Sequence, residues 1–170
     1  MNSSGFTLPV MQQFLDNAVL SWGLLACGLA QLSKLFIELI VHRQWRPAVL
    51  LETGGMPSSH SALVSGIAAG VGWQIGFDQP GFAIAATLAF VVMYDASGIR
   101  LAAGFTAARV NSLRIESWSE PPNQPLKESL GHSRLEVFVG SVVGPLIVLP
   151  GLVFVGSPLQ FAHSFGLIVG

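Results

Sequence analysis

Long apolar runs separated by short polar segments dominate this chain. Four of the runs approach the roughly 20 residues that an α-helix needs to cross a ~30 Å hydrocarbon core. They extend over residues 15–41, 61–77, 82–103 and 134–155. A further apolar segment at 160–170 is too short to cross alone. The pattern therefore predicts four membrane-crossing helices, and it leaves room for a fifth, partial segment.

The segments between these runs carry signals that end or bend helices. Asp78-Gln79-Pro80-Gly81 predicts a short turn between the second and third helices. We expect the third helix to continue beyond the membrane towards Leu113, and the proline-rich residues 115–125 to form a surface loop. Pro145 and Pro150 predict bends in the fourth helix, because proline cannot donate a backbone hydrogen bond.

The overall composition indicates a membrane protein. The 170 residues are 51% hydrophobic and only 10% charged, whereas a soluble domain carries about 25% charged residues. Mean hydropathy is +0.62. Too few charges remain to cover a soluble surface, so we predict one domain over 1–170, an all-α integral membrane bundle. The formal net charge of −1 gives no reason to expect nucleic acid as a partner.

The basic residues predict how the bundle lies in the membrane. With four crossings, both termini share one face and the connections 42–59 and 104–133 share the other. Every Lys and Arg outside the first run belongs to that second face: Arg43, Arg46, Arg100, Arg109, Arg114, Lys127 and Arg134. The positive-inside rule makes this face cytoplasmic, in a bacterial plasma membrane or a thylakoid-type membrane.

The segment that opens the second helix is the first candidate for chemistry. Ser58 or Ser59 can cap the helix, and Gly54 and Gly55 let the backbone approach a ligand closely. Free amide groups at such a helix start bind anions. His60 falls in the first turn. The alternative interpretation is a capped helix with an incidental interfacial histidine.

Asp95 and Arg100 form a second candidate near the cytoplasmic end of the third run. Ionisable groups inside a span usually face a cavity or a partner. Arg100 could instead extend its head group to the interface, but Asp95 is too short for that. On a straight helix the two residues are about 140° apart. An ion pair between them therefore requires that Gly98 break the helix.

His132 and Glu136 form a third candidate at the start of the fourth run. Four positions apart, they share one face of a helix. The carboxylate can hold one imidazole nitrogen, which fixes the tautomer and leaves the other nitrogen as a nucleophile. Alone, such a pair is more often found on an ordinary surface than in a catalytic site.

Taken together, these clusters all project to one face of the bundle. Two histidines and several cations at a helix start suit phosphoryl transfer: one histidine attacks phosphorus, the other protonates the leaving oxygen, and the cations stabilise the remaining oxygens. A competing hypothesis starts from the first span, where polar residues recur at helical spacing. With Asp95 they could form the polar path of a transporter: Gln31, Lys34 and Glu38.

Three strings in order along the chain resemble the divergent PAP2 family, small membrane proteins related to type 2 phosphatidic acid phosphatases and vanadium haloperoxidases. They are residues 54–62, 93–100 and 130–136, and the resemblance covers about 30–145, which we take as the core that carries the site. The resemblance implies that His132 is the nucleophile, Glu136 its orienting partner and His60 the general acid. It implies phosphate binding by Lys34, Arg46, Ser58, Ser59 and Arg100, with support from Gly55 and Asp95.

The chain departs from the phosphatase pattern in several places. Ser59 replaces a glycine and Glu136 replaces an aspartate, while Arg100 lies much further before His132 than is usual. We therefore predict a PAP2-like bundle with a metal-independent phosphoric monoester hydrolase of the acid phosphatase type. It needs no cofactor, acts on a lipid phosphate or pyrophosphate among the membrane lipids, and could form a homo-oligomer. A non-catalytic phospholipid-binding or assembly protein is the alternative.

Overall fold

The computed structural model describes residues 10, 12–14, 16–50, 54–113 and 125–166, without the side chains of His42 and His163. Over these residues the regular structure is entirely helical. Its α-helices are α1 (Ala18–Ile37), α2 (Ser59–Ile75), α3 (Pro80–Ser97), α4 (Ile99–Ser112), α5 (Arg134–Phe154) and α6 (Pro158–Ser164). A π-helical turn, Glu38–His42, extends α1, and a 3-10 turn follows at Pro47–Leu50. The predicted all-α bundle is confirmed.

Three stretches are long and apolar enough to cross a membrane: Ala18–Val41, Pro80–Ser112 and Arg134–Phe154. The second predicted span, α2, has only 17 residues and is not among these three. It is thus about 25 Å long at 1.5 Å per residue, which is shorter than a ~30 Å hydrocarbon core. It lies in the middle of the bundle, in contact with α1, α3 and α5. Because α2 is covered by other helices on several sides, much of its surface meets protein rather than lipid.

Small residues let α2 and α5 pack at backbone distance. A Cβ added to Gly140 would overlap the carbonyl oxygen of Ser58, and one added to Gly144 would overlap that of Ala62. The contacts advance along both helices in the same direction, so α2 and α5 are parallel and start at the same end. The site is built at that end.

The third predicted helix is broken where a continuous helix was expected. α3 ends at Ser97 and α4 begins at Ile99, with Gly98 between them at φ −113° and ψ −83°. α3 also begins earlier than expected, at Pro80, because proline fits the first position of a helix. α5 stays helical through Pro145 and Pro150. The predicted loop at 115–125 lies, apart from Pro125, outside the described residues.

Candidate active site

Three segments of the chain meet where α2 and α5 begin. They are the first turn of α2, the break between α3 and α4, and the residues that lead into α5. The backbone N–H of His132 donates to the Ala96 carbonyl at 2.9 Å, and that of Ser58 donates to the Glu136 carbonyl at 3.1 Å. These two bonds join the start of α5 to the end of α3 and to the start of α2. Residues far apart in sequence therefore lie at one end of the bundle.

His132 is held in a single orientation by Glu136. The imidazole is 5% exposed, and its Nδ1 lies 2.9 Å from Glu136 Oε2. The same carboxylate oxygen accepts from the Ser133 backbone N–H at 3.2 Å. Because a carboxylate only accepts, Nδ1 is the donor in this bond, and in the neutral ring Nε2 is then the nitrogen with the lone pair. The predicted i,i+4 pair is therefore present and favours the tautomer that a nucleophilic histidine needs. His132 does not share a helix face with Glu136 as predicted, because α5 begins only at Arg134, after the Ser133 cap.

Gly131 allows the approach that places His132 beside the helix break. Its φ is +80°, a left-handed conformation that favours glycine, and a Cβ there would overlap the backbone nitrogen of Leu101. Sequence reasoning did not single out Gly131 as a site residue. The available signal was a glycine directly before a candidate histidine, but its conformation depends on a segment 30 residues earlier.

His60, Arg100 and His132 line one cleft of about 50 Å³, together with Val92, Ala96, Leu130 and Gly131. His60 is exposed in the first turn of α2, and its ring makes no hydrogen bond within the described ranges. The structure therefore brings together the two predicted catalytic histidines and one predicted phosphate-binding arginine. Glu136 joins them through its bond to His132.

Arg100 forms an ion pair with Asp95, in which Nε donates to Asp95 Oδ2. The predicted condition for this pair was a break at Gly98, and that break is present. The Arg100 side chain remains 56% exposed. The guanidinium is thus anchored from one side and accessible from the other.

The other two predicted cations lie elsewhere. Lys34 and Arg46 line a separate cavity of about 510 Å³, which also includes Gly55 and Glu136. Lys34 is 5% exposed and its Nζ donates to the Gly54 carbonyl at 2.7 Å, while Arg46 Nη1 lies 3.6 Å from Glu38 Oε1. This cavity adjoins the cleft, because Leu130 and Gly131 line both, while Glu136 lines the cavity and His132 the cleft.

Ser58 and Ser59 are both buried. Ser58 caps α2, since its hydroxyl oxygen accepts from the backbone N–H of Ser61 at 3.3 Å and from the Ser61 hydroxyl at 2.9 Å. The predicted cap is therefore confirmed. Its hydroxyl is occupied within the helix interface, and the structure places neither serine among the residues that line the cleft.

Comparison with known proteins identifies the family of the chain. A family model described as the divergent PAP2 family matches residues 15–147. The chain belongs to the divergent PAP2 family. An uncharacterized membrane protein of Bacillus subtilis (strain 168), YuiD, is 37% identical over 150 residues, covering 81% of this chain and 95% of the relative. No solved structure matches the chain. The relative and the three apolar helices establish a membrane protein.

In this divergent PAP2 protein, the polar residues of α1 fasten the segment that precedes α2. Gln31 Nε2 donates to the Leu50 carbonyl at 2.7 Å, Lys34 to that of Gly54, and Glu38 pairs with Arg46. Their helical spacing thus has a structural explanation that needs no transport path. Within the described part of the chain, no group of three His, Cys, Asp or Glu side chains is placed to hold a metal ion.

Proposed function

We propose that this protein is a membrane phosphohydrolase that cleaves a lipid phosphate or pyrophosphate through a phosphohistidine at His132. One observation carries the proposal. A buried histidine, whose Nδ1 is bound by Glu136 at 2.9 Å, lines the same cleft as a second histidine and an arginine. These are the groups that metal-independent phosphoryl transfer requires: a nucleophile, a proton donor and a cation.

In the first step, Nε2 of His132 attacks phosphorus and forms a P–N bond. The bond between phosphorus and the leaving oxygen breaks, and His60, as an imidazolium, gives that oxygen a proton. The His132 ring gains positive charge, which the Glu136 carboxylate stabilises at Nδ1. Arg100 donates to the other oxygens of the phosphoryl group as charge develops on them.

In the second step, His60 is neutral and accepts a proton from water. That water attacks phosphorus, the P–N bond breaks, and inorganic phosphate leaves. His132 regains its lone pair and His60 its proton. Each turnover therefore consumes one water and releases one inorganic phosphate, together with the alcohol of a lipid phosphate or the phosphate monoester of a pyrophosphate. The same side chain acts first as an acid and then as a base.

The position and size of the cleft favour an amphiphilic substrate. The cleft lies at the end of the bundle where α2 and α5 begin. We infer that this end lies at the depth of lipid headgroups, on the face that the basic residues predict to be cytoplasmic. The cleft has a volume of only about 50 Å³. It therefore suits one phosphoryl group, with the rest of the substrate remaining in the bilayer.

The decisive experiment is phosphate release by the purified protein in detergent, from a panel of lipid phosphates and pyrophosphates. His132→Ala and His60→Ala serve as controls. We expect release by the wild type and a loss of roughly 10²–10⁴ in rate in each variant. Activity that survives His132→Ala unchanged would refute the mechanism.

A second candidate is a phospholipid-binding protein without turnover, and the distribution of cations favours it. Among the described residues, Arg100 is the lone Lys or Arg that lines the cleft, and it is paired with Asp95. A hydrolase would benefit from more positive charge at phosphorus. Orthovanadate binding that persists in His132→Gln, with no release by either form, would establish this alternative.

A further inference from the structure

The break at Gly98 has a specific effect on Arg100. Without it, five positions of straight helix would turn Asp95 and Arg100 about 140° apart. With it, the Asp95 carboxylate reaches the guanidinium and accepts from Nε. Asp95 lies near the end of α3 and its side chain is 29% exposed, so the carboxylate is partly shielded by its surroundings.

Asp95 accepts from the Nε of Arg100, and this leaves a particular part of the guanidinium available. A guanidinium is planar, with Nε–H on one edge and the terminal Nη groups at the other end. A carboxylate on Nε fixes the plane and leaves the Nη groups as donors. Because Arg100 lines the cleft with His60 and His132, any bond that it donates to an oxyanion there comes from Nη.

We propose that Asp95 is a positioning residue, which holds Arg100 through Nε so that its Nη groups bind an oxyanion in the cleft. It touches no substrate and acts through Arg100. The inference rests on the oxyanion-binding half of the proposed function and does not require turnover.

The two possible roles of Asp95, as a charge or as a positioning group, predict opposite changes in anion affinity for the neutral variant Asp95→Asn. If Asp95 contributed only its negative charge, removing that charge beside an anion site would strengthen anion binding. If it positions Arg100, its loss lets a long side chain adopt other rotamers, and anion binding weakens. The direction of the change therefore separates the two roles.

The test is a double-mutant cycle on orthovanadate binding, measured by calorimetry with the full chain in detergent. Arg100→Ala should weaken binding about 10–100-fold, the range expected for hydrogen bonds to charged groups. Asp95→Asn should weaken it about 3–10-fold. The double variant should match Arg100→Ala within about twofold, because Asp95 has no role once Arg100 is gone.

Asp78→Asn is the matched control, since Asp78 is an exposed aspartate in the turn between α2 and α3, at the other end of α2 from the cleft. It should leave binding unchanged.

Asp95→Glu, which keeps the carboxylate, should bind better than Asp95→Asn. Unchanged or tighter binding by Asp95→Asn, or additive losses in the double variant, would overturn the inference, as would a wild type that binds no orthovanadate. Binding without turnover would refute the hydrolase and leave the role of Asp95 standing.

Discussion

α2 and α5 start side by side, each behind a serine cap, and each has a histidine beside that cap. His132 comes directly before the cap of α5, is buried, and is bound through Nδ1 to Glu136. His60 comes two positions after the cap of α2, is exposed, and makes no hydrogen bond in the part of the chain that the structure describes. One helix start thus fixes its histidine, and the other leaves its histidine accessible to water.

This difference matches the two roles that the proposed reaction needs. A nucleophile must present one nitrogen in a defined direction, and a bound, buried ring does so at little entropic cost. A group that protonates a leaving oxygen and then activates water must exchange protons with solvent, which suits an exposed ring. Variants at the two helix starts can test this assignment of roles.

The largest expected effect separates the two histidines by the intermediate they allow. His132→Gln should form no phosphoprotein and lose roughly 10²–10⁴ or more in turnover. His60→Gln should still form phospho-His132 from a substrate with a good leaving group, such as p-nitrophenyl phosphate, because that oxygen needs no proton. It should then accumulate the intermediate, because the second step lacks its base.

Acid-labile radioactive labelling from ³²P-phosphate esters of p-nitrophenol measures this intermediate directly. Label that is retained in His132→Gln would exclude His132 as the nucleophile. Label that is lost in His60→Gln alone would reverse the two assignments.

The next effect concerns the bond that fixes His132. Glu136→Gln keeps a side chain that still completes the capping box of α5, since glutamine serves at that position as well as glutamate. It removes the charge that stabilises the ring during attack. We expect thermal stability near that of the wild type and a loss of about 10–100-fold in phosphate release, the range for a lost hydrogen bond to a charged group.

Glu136→Ala separates the two roles of this residue. It should lose the same catalytic function and, in addition, about 1 kcal/mol of helix-capping stability. Full activity in Glu136→Gln, with a stability loss in Glu136→Ala alone, would show that Glu136 serves the cap alone.

A smaller effect tests whether the two helix starts must touch. In Gly140→Ala, the new Cβ would overlap the Ser58 carbonyl oxygen and lie 3.0 Å from Ser61 Cβ. We expect a loss of about 1–3 kcal/mol in stability, since backbone atoms cannot move aside cheaply, and lower activity as the histidines separate. Gly28→Ala in α1 is the control, because its Cβ would meet nothing within 4 Å. Equal melting temperatures for the two variants would contradict this packing.

The sequence was sufficient for features that depend on local spacing. Apolar runs located the helices of the bundle, the i,i+4 spacing located the His132–Glu136 pair, and the serine before the second run located its cap. Each of these features depends on residues that are close together in the sequence, so a local pattern is enough to predict it.

Features that depend on contacts between distant segments could not be predicted. Lys34 was expected to bind the phosphate, but its Nζ donates a hydrogen bond to the carbonyl of Gly54. Arg100 and His132 were expected at one site, but the sequence did not indicate that a left-handed Gly131 against Leu101 brings their segments together. The burial of Ser58 depends on Gly140, which lies 82 positions later in the chain. No local pattern encodes such pairings.

The smallest expected effect compares the two caps themselves. Ser58→Ala removes an acceptor from the Ser61 backbone N–H and also from the buried Ser61 hydroxyl. We expect it to cost about 1–2 kcal/mol, because a cap is lost and a buried donor is left without its acceptor. Ser133→Ala removes only a 3.3 Å bond at an exposed position, and the Glu136 carboxylate still accepts from the backbone there. Its cost should be about 0.5 kcal/mol. Thermal unfolding of both variants in the same detergent measures the difference, and a larger loss for Ser133→Ala would show that the α5 start, and not the buried α2 start, holds this end of the bundle together.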